Sequence, residues 1–134
     1  LLDIEKSVGL TQTFLQTSFV KKCFDIRDNI RLKIAQCRNN GSRIVGFCAA
    51  TKANTFLNFC GLTKLDIPII YDMSVHKIGK LMPGSDIIIL DERKLEKKSK
   101  DIAIILADNM RLLIEPKLQK LKYEILDFRN LNAN

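Results

Sequence analysis

The stretch Arg43–Leu62, RIVGFCAATKANTFLNFCGL, restricts the fold more than any other part of this 134-residue chain. Ile44, Val45 and Phe47 form a β-branched and aromatic run of buried-strand length. Cys48, Ala49 and Ala50 are small enough for a ligand to approach the backbone. Thr51 is a suitable N-cap, and Gly61 stands where a helix C′ glycine belongs. A strand that feeds a helix through small residues presents backbone N–H groups to an anion, as α/β domains commonly do.

The flanking sequence extends that unit into an alternating pattern. Residues 1–10 show no strong period and read as a frayed lead-in. From Thr11 to Arg38, the residues Phe19, Cys23, Ile26, Ile30, Ile34 and Cys37 recur at spacings of three and four. This is the stripe of a helix packed on its own domain rather than on a membrane surface, because the opposite face mixes both signs of charge. Asn39, Asn40 and Gly41 end it, so residues 1–41 read as a helical connector and 42–134 as an α/β domain. Asp66–Tyr71 is the second strand, near an edge or irregular at its start because Pro68 lacks a donor. A loop, Met73–Ser85, leads to a third strand at Asp86–Leu90 and a short charged helix, Asp91–Lys98, capped by Asp91. Asp101–Ala107 is apolar throughout, as a strand buried on both faces of a parallel sheet would be. Asp108 caps a helix, Asn109–Leu121, in which Pro116 should kink the chain or mark a restart. Tyr123–Phe128 is the last strand, and a polar tail runs to Asn134. The implied architecture is α/β: a Rossmann-like three-layer sandwich with a mainly parallel sheet and an N-terminal helix.

Several function classes fall away on composition. The net charge is +7, yet the basic residues are dispersed among acids with no aromatic stacking motif, so nucleic acid is not the expected partner. The surplus suits an anionic small ligand equally well. Cys23, Cys37, Cys48 and Cys60 form no C-x-x-C pair, and His76 is the only histidine, which argues against a metal site. The cysteines read as reduced core thiols, and the expected location is the cytoplasm. No apolar run approaches the roughly 18 residues of a membrane span. The first residue is Leu1, as in part of a longer polypeptide.

Ligands of such sheets bind beyond the carboxyl ends of the strands. That rule brings together Cys48–Thr55, Asp72 with its following loop, and Ala107–Asn109. The fingerprint G-x-G-x-x-G is missing, so a nicotinamide site is disfavoured. Asp72 reads equally well as a turn residue or as a ligand contact. G-F-C-A-A echoes a nucleophile elbow, but His76 precedes Asp108 and the glycine two residues after Cys48 is missing. Lys52, in the first helical turn, opposes the helix dipole unless an anion is bound, and Lys77 and Lys80 add charge nearby. No catalytic constellation and no metal cluster is legible.

The same residues carry a family resemblance. Gly46, Ala49, Lys52, Asn54, Thr55, Leu57, Asn58, Gly61 and Leu62 follow the pattern that opens the C-terminal domain of sugar C-methyltransferases, which act on nucleotide-linked sugars with S-adenosylmethionine. A second block matches through Asp72, Lys77, Gly79, Lys80, Pro83 and Gly84, and a third through Ile105–Asn109. The resemblance spans about residues 43–128 and implies a domain that holds a nucleotide-diphosphate sugar, without S-adenosylmethionine, zinc or catalytic residues of its own. Those would lie in upstream domains, including a methyltransferase domain. The implied substrate contacts are Ala49, Lys52, Asn54, Thr55, Asp72, Lys77, Lys80 and Asn109. The chain departs from the pattern at Cys48 and Ala53, each in place of glycine, at Ala50 in place of proline, at Asp108 in place of tryptophan and at Leu113 in place of an acid. Cys48 and Ala53 would narrow the turn, and Asp108 would add negative charge. Those departures leave a second reading, an interaction module that keeps the fold without the ligand.

Overall fold

The computed structural model describes the backbone of residues 2–127 and the side chains from residue 17 onward. Phe128 and the polar tail lie outside the described residues. A long helix, α1 (Leu2–Asn39), precedes β1 (Arg43–Phe47), α2 (Thr51–Cys60), β2 (Ile69–Asp72), β3 (Ile88–Asp91), β4 (Asp101–Ile105), α3 (Arg111–Lys120) and β5 (Glu124–Ile125). The five strands pair in the order β3-β2-β1-β4-β5, every neighbour parallel. Chain order reverses between β1 and β4, which makes their carboxyl ends the topological switch point of the sheet.

Strand periodicity separates the core into two layers. Ile44, Ile70, Ile89, Ile102 and Ile104 point to one face and pack with Ile30 and Ile34 of α1 and Ala53, Leu57 and Cys60 of α2. Val45, Phe47, Tyr71, Ala103 and Ile105 point to the other face, against Ile114 and Leu118 of α3. Successive residues of β1 and β4 thus serve opposite faces, which is why both strands read as unbroken apolar runs. At Gly46 a Cβ would lie 2.9 Å from Leu106 Cδ1 and 3.0 Å from Ile70 Cγ1, so the sheet closes over a missing side chain. At the opposite, amino end of the sheet, Arg43 Nε and Nη2 donate to the Asp101 carboxylate at 3.0 and 2.6 Å. That pair pins the β1–β4 register.

The structure corrects several expected boundaries. α1 is helical from Leu2, so the expected lead-in is part of the helix. Its stripe is inward only toward its C-terminal end: Ile30 and Ile34 are buried, whereas Phe19 is exposed. Asp66 and Ile67 close a hydrogen-bonded turn on the Thr63 carbonyl, so β2 starts after Pro68, the irregular start expected of it, and lies inside the sheet rather than at its edge. Asp86 adopts φ +59°, and its N–H bonds the Met82 carbonyl, which delays β3 to Ile88. The charged helix after β3 is one 3₁₀ turn, Glu92–Lys94, with Asp91 accepting from the Arg93 N–H as expected of its cap. β4 stops at Ile105, and β5 is only Glu124–Ile125.

α2 ends as its glycine requires. Gly61 is left-handed at φ +65°, its N–H reaches the Asn58 carbonyl, and the Leu62 N–H reaches that of Leu57. Arg31 of α1 donates to the carbonyls of Cys60 and Gly61 at 2.6 and 3.0 Å, fixing α1 to this end of α2. The N-cap of α2 is Ala50, not Thr51, and no side chain caps it. Asp108 likewise does not cap α3: it opens a 3₁₀ turn, Asp108–Met110, and pairs with Arg111. Pro116 sits inside α3 without ending it. Its missing N–H removes the i→i−4 donor to the Leu112 carbonyl, on a stretch where Leu112 and Pro116 are both exposed.

Candidate functional site at the carboxyl ends of the strands

The turn from β1 to α2 is clamped through both backbone groups of Ala49. Its N–H donates to Asp72 Oδ2 at 2.7 Å, and its carbonyl accepts from Lys77 Nζ at 2.9 Å. Asp72 Oδ1 accepts from the Ser74 N–H at 2.7 Å, so one carboxylate ties β1, β2 and the following loop together. Cys48, whose N–H bonds the Tyr71 carbonyl, is forced to φ +76°. That left-handed conformation accounts for the glycine this position has in the pattern the chain resembles.

Three clefts surround the clamped turn. A crevice of about 440 Å³ opens at the switch point, lined by Cys48, Ala50, Asp72, Lys77 and Asn109, with Lys117 at its side. A second, about 420 Å³, runs along the amino end of α2 and includes Ala49, Asn54, Lys77, Lys80 and Pro83. A third, about 370 Å³, lies toward α1 and takes in Lys52 and Asn109. Seven of the eight residues singled out in the sequence therefore line these clefts. Thr55 does not: its hydroxyl donates to the Thr51 carbonyl at 3.4 Å within the helix. Ala49, Asp72 and Lys77 hold one another, whereas Asn54 Oδ1 is buried with no hydrogen-bond partner. A ligand hydroxyl or N–H would satisfy that oxygen.

The chemistry available is recognition. Lys77, Lys80 and Lys117 bring positive charge, and α2 starts without a side-chain cap and without an acid in its own first turn, while the Asp72 carboxylate beside it is engaged by the Ala49 and Ser74 N–H groups. Burial, with the nearby charges of Asp72 and Glu92, pushes the Cys48 thiol up to about 11, opposite to what a cysteine nucleophile needs. All four cysteines are free, as expected of reduced thiols; Cys60 is buried, Cys37 and Cys48 are half-buried against the two core layers, and Cys23 is half-buried on α1. Among the described residues, no group of three or more His, Cys, Asp or Glu side chains could hold a metal ion, and no helix is long and apolar enough to cross a membrane.

Some relations were not legible beforehand. Asn58 donates to the Pro83 carbonyl at 3.3 Å and packs against Gly84, where a side chain has no room and φ is +85°. That contact carries the second sequence block onto the first. Ala53 is wholly buried between α2 and the sheet, so its methyl group fills core and does not narrow the turn. Arg111, which sequence reasoning left unremarked, is a buried cation beside the clefts. Its only sequence signal is a basic residue a few positions beyond an apolar strand end.

A family model described as the C-methyltransferase C-terminal domain matches residues 1–126. The match takes in α1 as well as the sheet, a longer span than the sequence motifs alone. The chain is also 29% identical over 109 residues to the C-methyltransferase NovU of Streptomyces niveus. That alignment covers 81% of this chain but 26% of the relative, so the chain spans about a quarter of the length of the curated protein it matches.

Proposed function

This chain belongs to the C-methyltransferase C-terminal domain family, and on that premise we propose that it is the substrate-holding domain of such an enzyme, with a nucleotide-diphosphate sugar as its ligand. The observation that carries the reading is the convergence of Ala49, Asn54, Asp72, Lys77, Lys80 and Asn109 on adjoining clefts at the carboxyl ends of β1, β2 and β4. Their parts differ. Asp72 and Lys77 set the turn. Asn54 supplies an unpartnered acceptor for a sugar hydroxyl or a base N–H. The α2 amino end and Lys80 offset the negative charge of the diphosphate. Methyl transfer, S-adenosylmethionine and zinc belong to other domains of the enzyme. Exposed Met73, Leu81 and Leu113 rim the clefts and suit an upstream methyltransferase domain that closes over them.

Titration with thymidine and uridine diphosphate sugars, followed by backbone amide shifts, tests the proposal. It expects shifts at Ala50–Asn54, Asp72 and Met73. Unmoved amides there at millimolar ligand would overturn it.

A second reading, an interaction module without the ligand, is favoured by one patch. Phe24 of α1 stacks on Phe59 of α2 with ring centroids 6.1 Å apart, Arg27 covers the Phe24 ring, and both rings are partly exposed beside Phe19 and Val20. Ile30 cannot report on that surface, because it is part of the core. Loss of a partner in Phe24→Ser, with nucleotide-sugar binding absent in the parent, would favour this reading.

A further inference from the structure

Arg111 is 8% exposed, and its Nη1 is buried with no hydrogen-bond partner. Its ion pair with Asp108 uses Nε and Nη2, at long distances of 3.4 and 3.3 Å. The Asp108 side chain is 76% exposed, so water screens the pair. A buried guanidinium with one idle nitrogen and a loosely held counterion is incompletely compensated. It lines the third cleft, whose walls are Ile26 and Ile30 of α1, Phe56 of α2 and the end of β4. Lys52, on the first turn of α2, lines the same cleft and forms no ion pair among the described residues. The site thus holds two cations and one exposed carboxylate over apolar walls, and low polarity strengthens charge recognition.

We propose that this cleft is an oxyanion site for a phosphoryl group, anchored by Arg111 with Lys52 as the second cation. The bound group takes over from Asp108 as the main counterion of Arg111 and uses the idle nitrogen as a further donor. The site lies on the α1–α2 side of the sheet, apart from the clamped crevice, and Asn109 lines both. The proposal stands on Arg111 and does not require the nucleotide-sugar reading. The phosphoryl group has two possible sources, free inorganic pyrophosphate or the diphosphate of a nucleotide.

The test is a titration of the chain with inorganic pyrophosphate and, separately, with thymidine diphosphate, reading the Arg111 side-chain Nε–H and backbone amide. The proposal expects pyrophosphate to move these signals. It expects Lys52→Ala to weaken the binding about ten-fold and Asp108→Asn, which removes a competing charge at an exposed position, to tighten it. A purely structural Arg111 would predict no gain from Asp108→Asn. If thymidine diphosphate moves Arg111 together with Ala50–Asn54, the phosphoryl source is the nucleotide. If pyrophosphate moves Arg111 while nucleotide sugars leave Ala50–Asn54 unmoved, the oxyanion site stands and the substrate-holding reading fails. If Ala50–Asn54 respond and Arg111 responds to neither ligand, the oxyanion site is overturned and the substrate-holding reading stands.

Discussion

Cys48 carries a side chain where the backbone asks for none. Its φ of +76° costs an L-residue roughly 1–2 kcal/mol that glycine does not incur. Cys48→Gly should therefore raise stability by about 1 kcal/mol, the relief of strain exceeding the loss of a partly buried thiol. A chemical denaturation midpoint that falls instead would show that the thiol's packing matters more than the turn. Asp72 is the opposite case, a side chain that the turn depends on. Replacing it with alanine leaves the Ala49 and Ser74 N–H groups without their acceptor, and should cost about 2–3 kcal/mol. Nucleotide-sugar binding should weaken with it. Unchanged stability of Asp72→Ala would mean that Lys77 alone holds the turn.

At the scale of elements, two joints invite measurement. Pro116 denies α3 one hydrogen bond at a water-facing position, so Pro116→Ala should stabilise by about 2 kcal/mol, read from urea unfolding. The β1–β4 joint depends on Asp101, whose side chain is 1% exposed. Burial alone would raise its pKa, but hydrogen bonds from Arg43 and the Lys98 N–H, with the Arg43 charge, outweigh that and hold it below the ordinary value. Its folded-state pKa is therefore depressed. Its contribution is complete above the unfolded-state value, about 3.9, and is lost as pH falls through the folded-state value. Melting temperature should drop more steeply in acid for the parent than for Asp101→Asn, which is less stable at neutral pH. Parallel pH profiles would rule out this carboxylate as a source of acid sensitivity.

For the whole molecule, the order of elements and the meeting of the named residues at the carboxyl ends of the strands were legible because apolar runs and glycines act locally. Phe47 and Gly61 announce a buried strand and a helix end from their immediate neighbours. Boundaries set by distant partners were not legible. Pro68 looks like an edge signal, yet the turn on Thr63 moves the strand start past it. Phe19 continues the stripe of Ile30 and Ile34, yet α1 runs beyond the sheet that covers them. Asp72 could be ranked only as turn or ligand contact until Ala49 was seen against it. Arg111 gave only the faint signal of a basic residue past an apolar strand end, because an idle buried guanidinium is a property of packing.

Calorimetric titration of the chain with a thymidine diphosphate sugar tests the central claim most directly. The account predicts saturable one-site binding that Asn54→Ala weakens about ten-fold, because the mutation removes the unpartnered acceptor proposed to meet the ligand. No binding heat at millimolar ligand, at two temperatures, from a protein that melts cooperatively would contradict it.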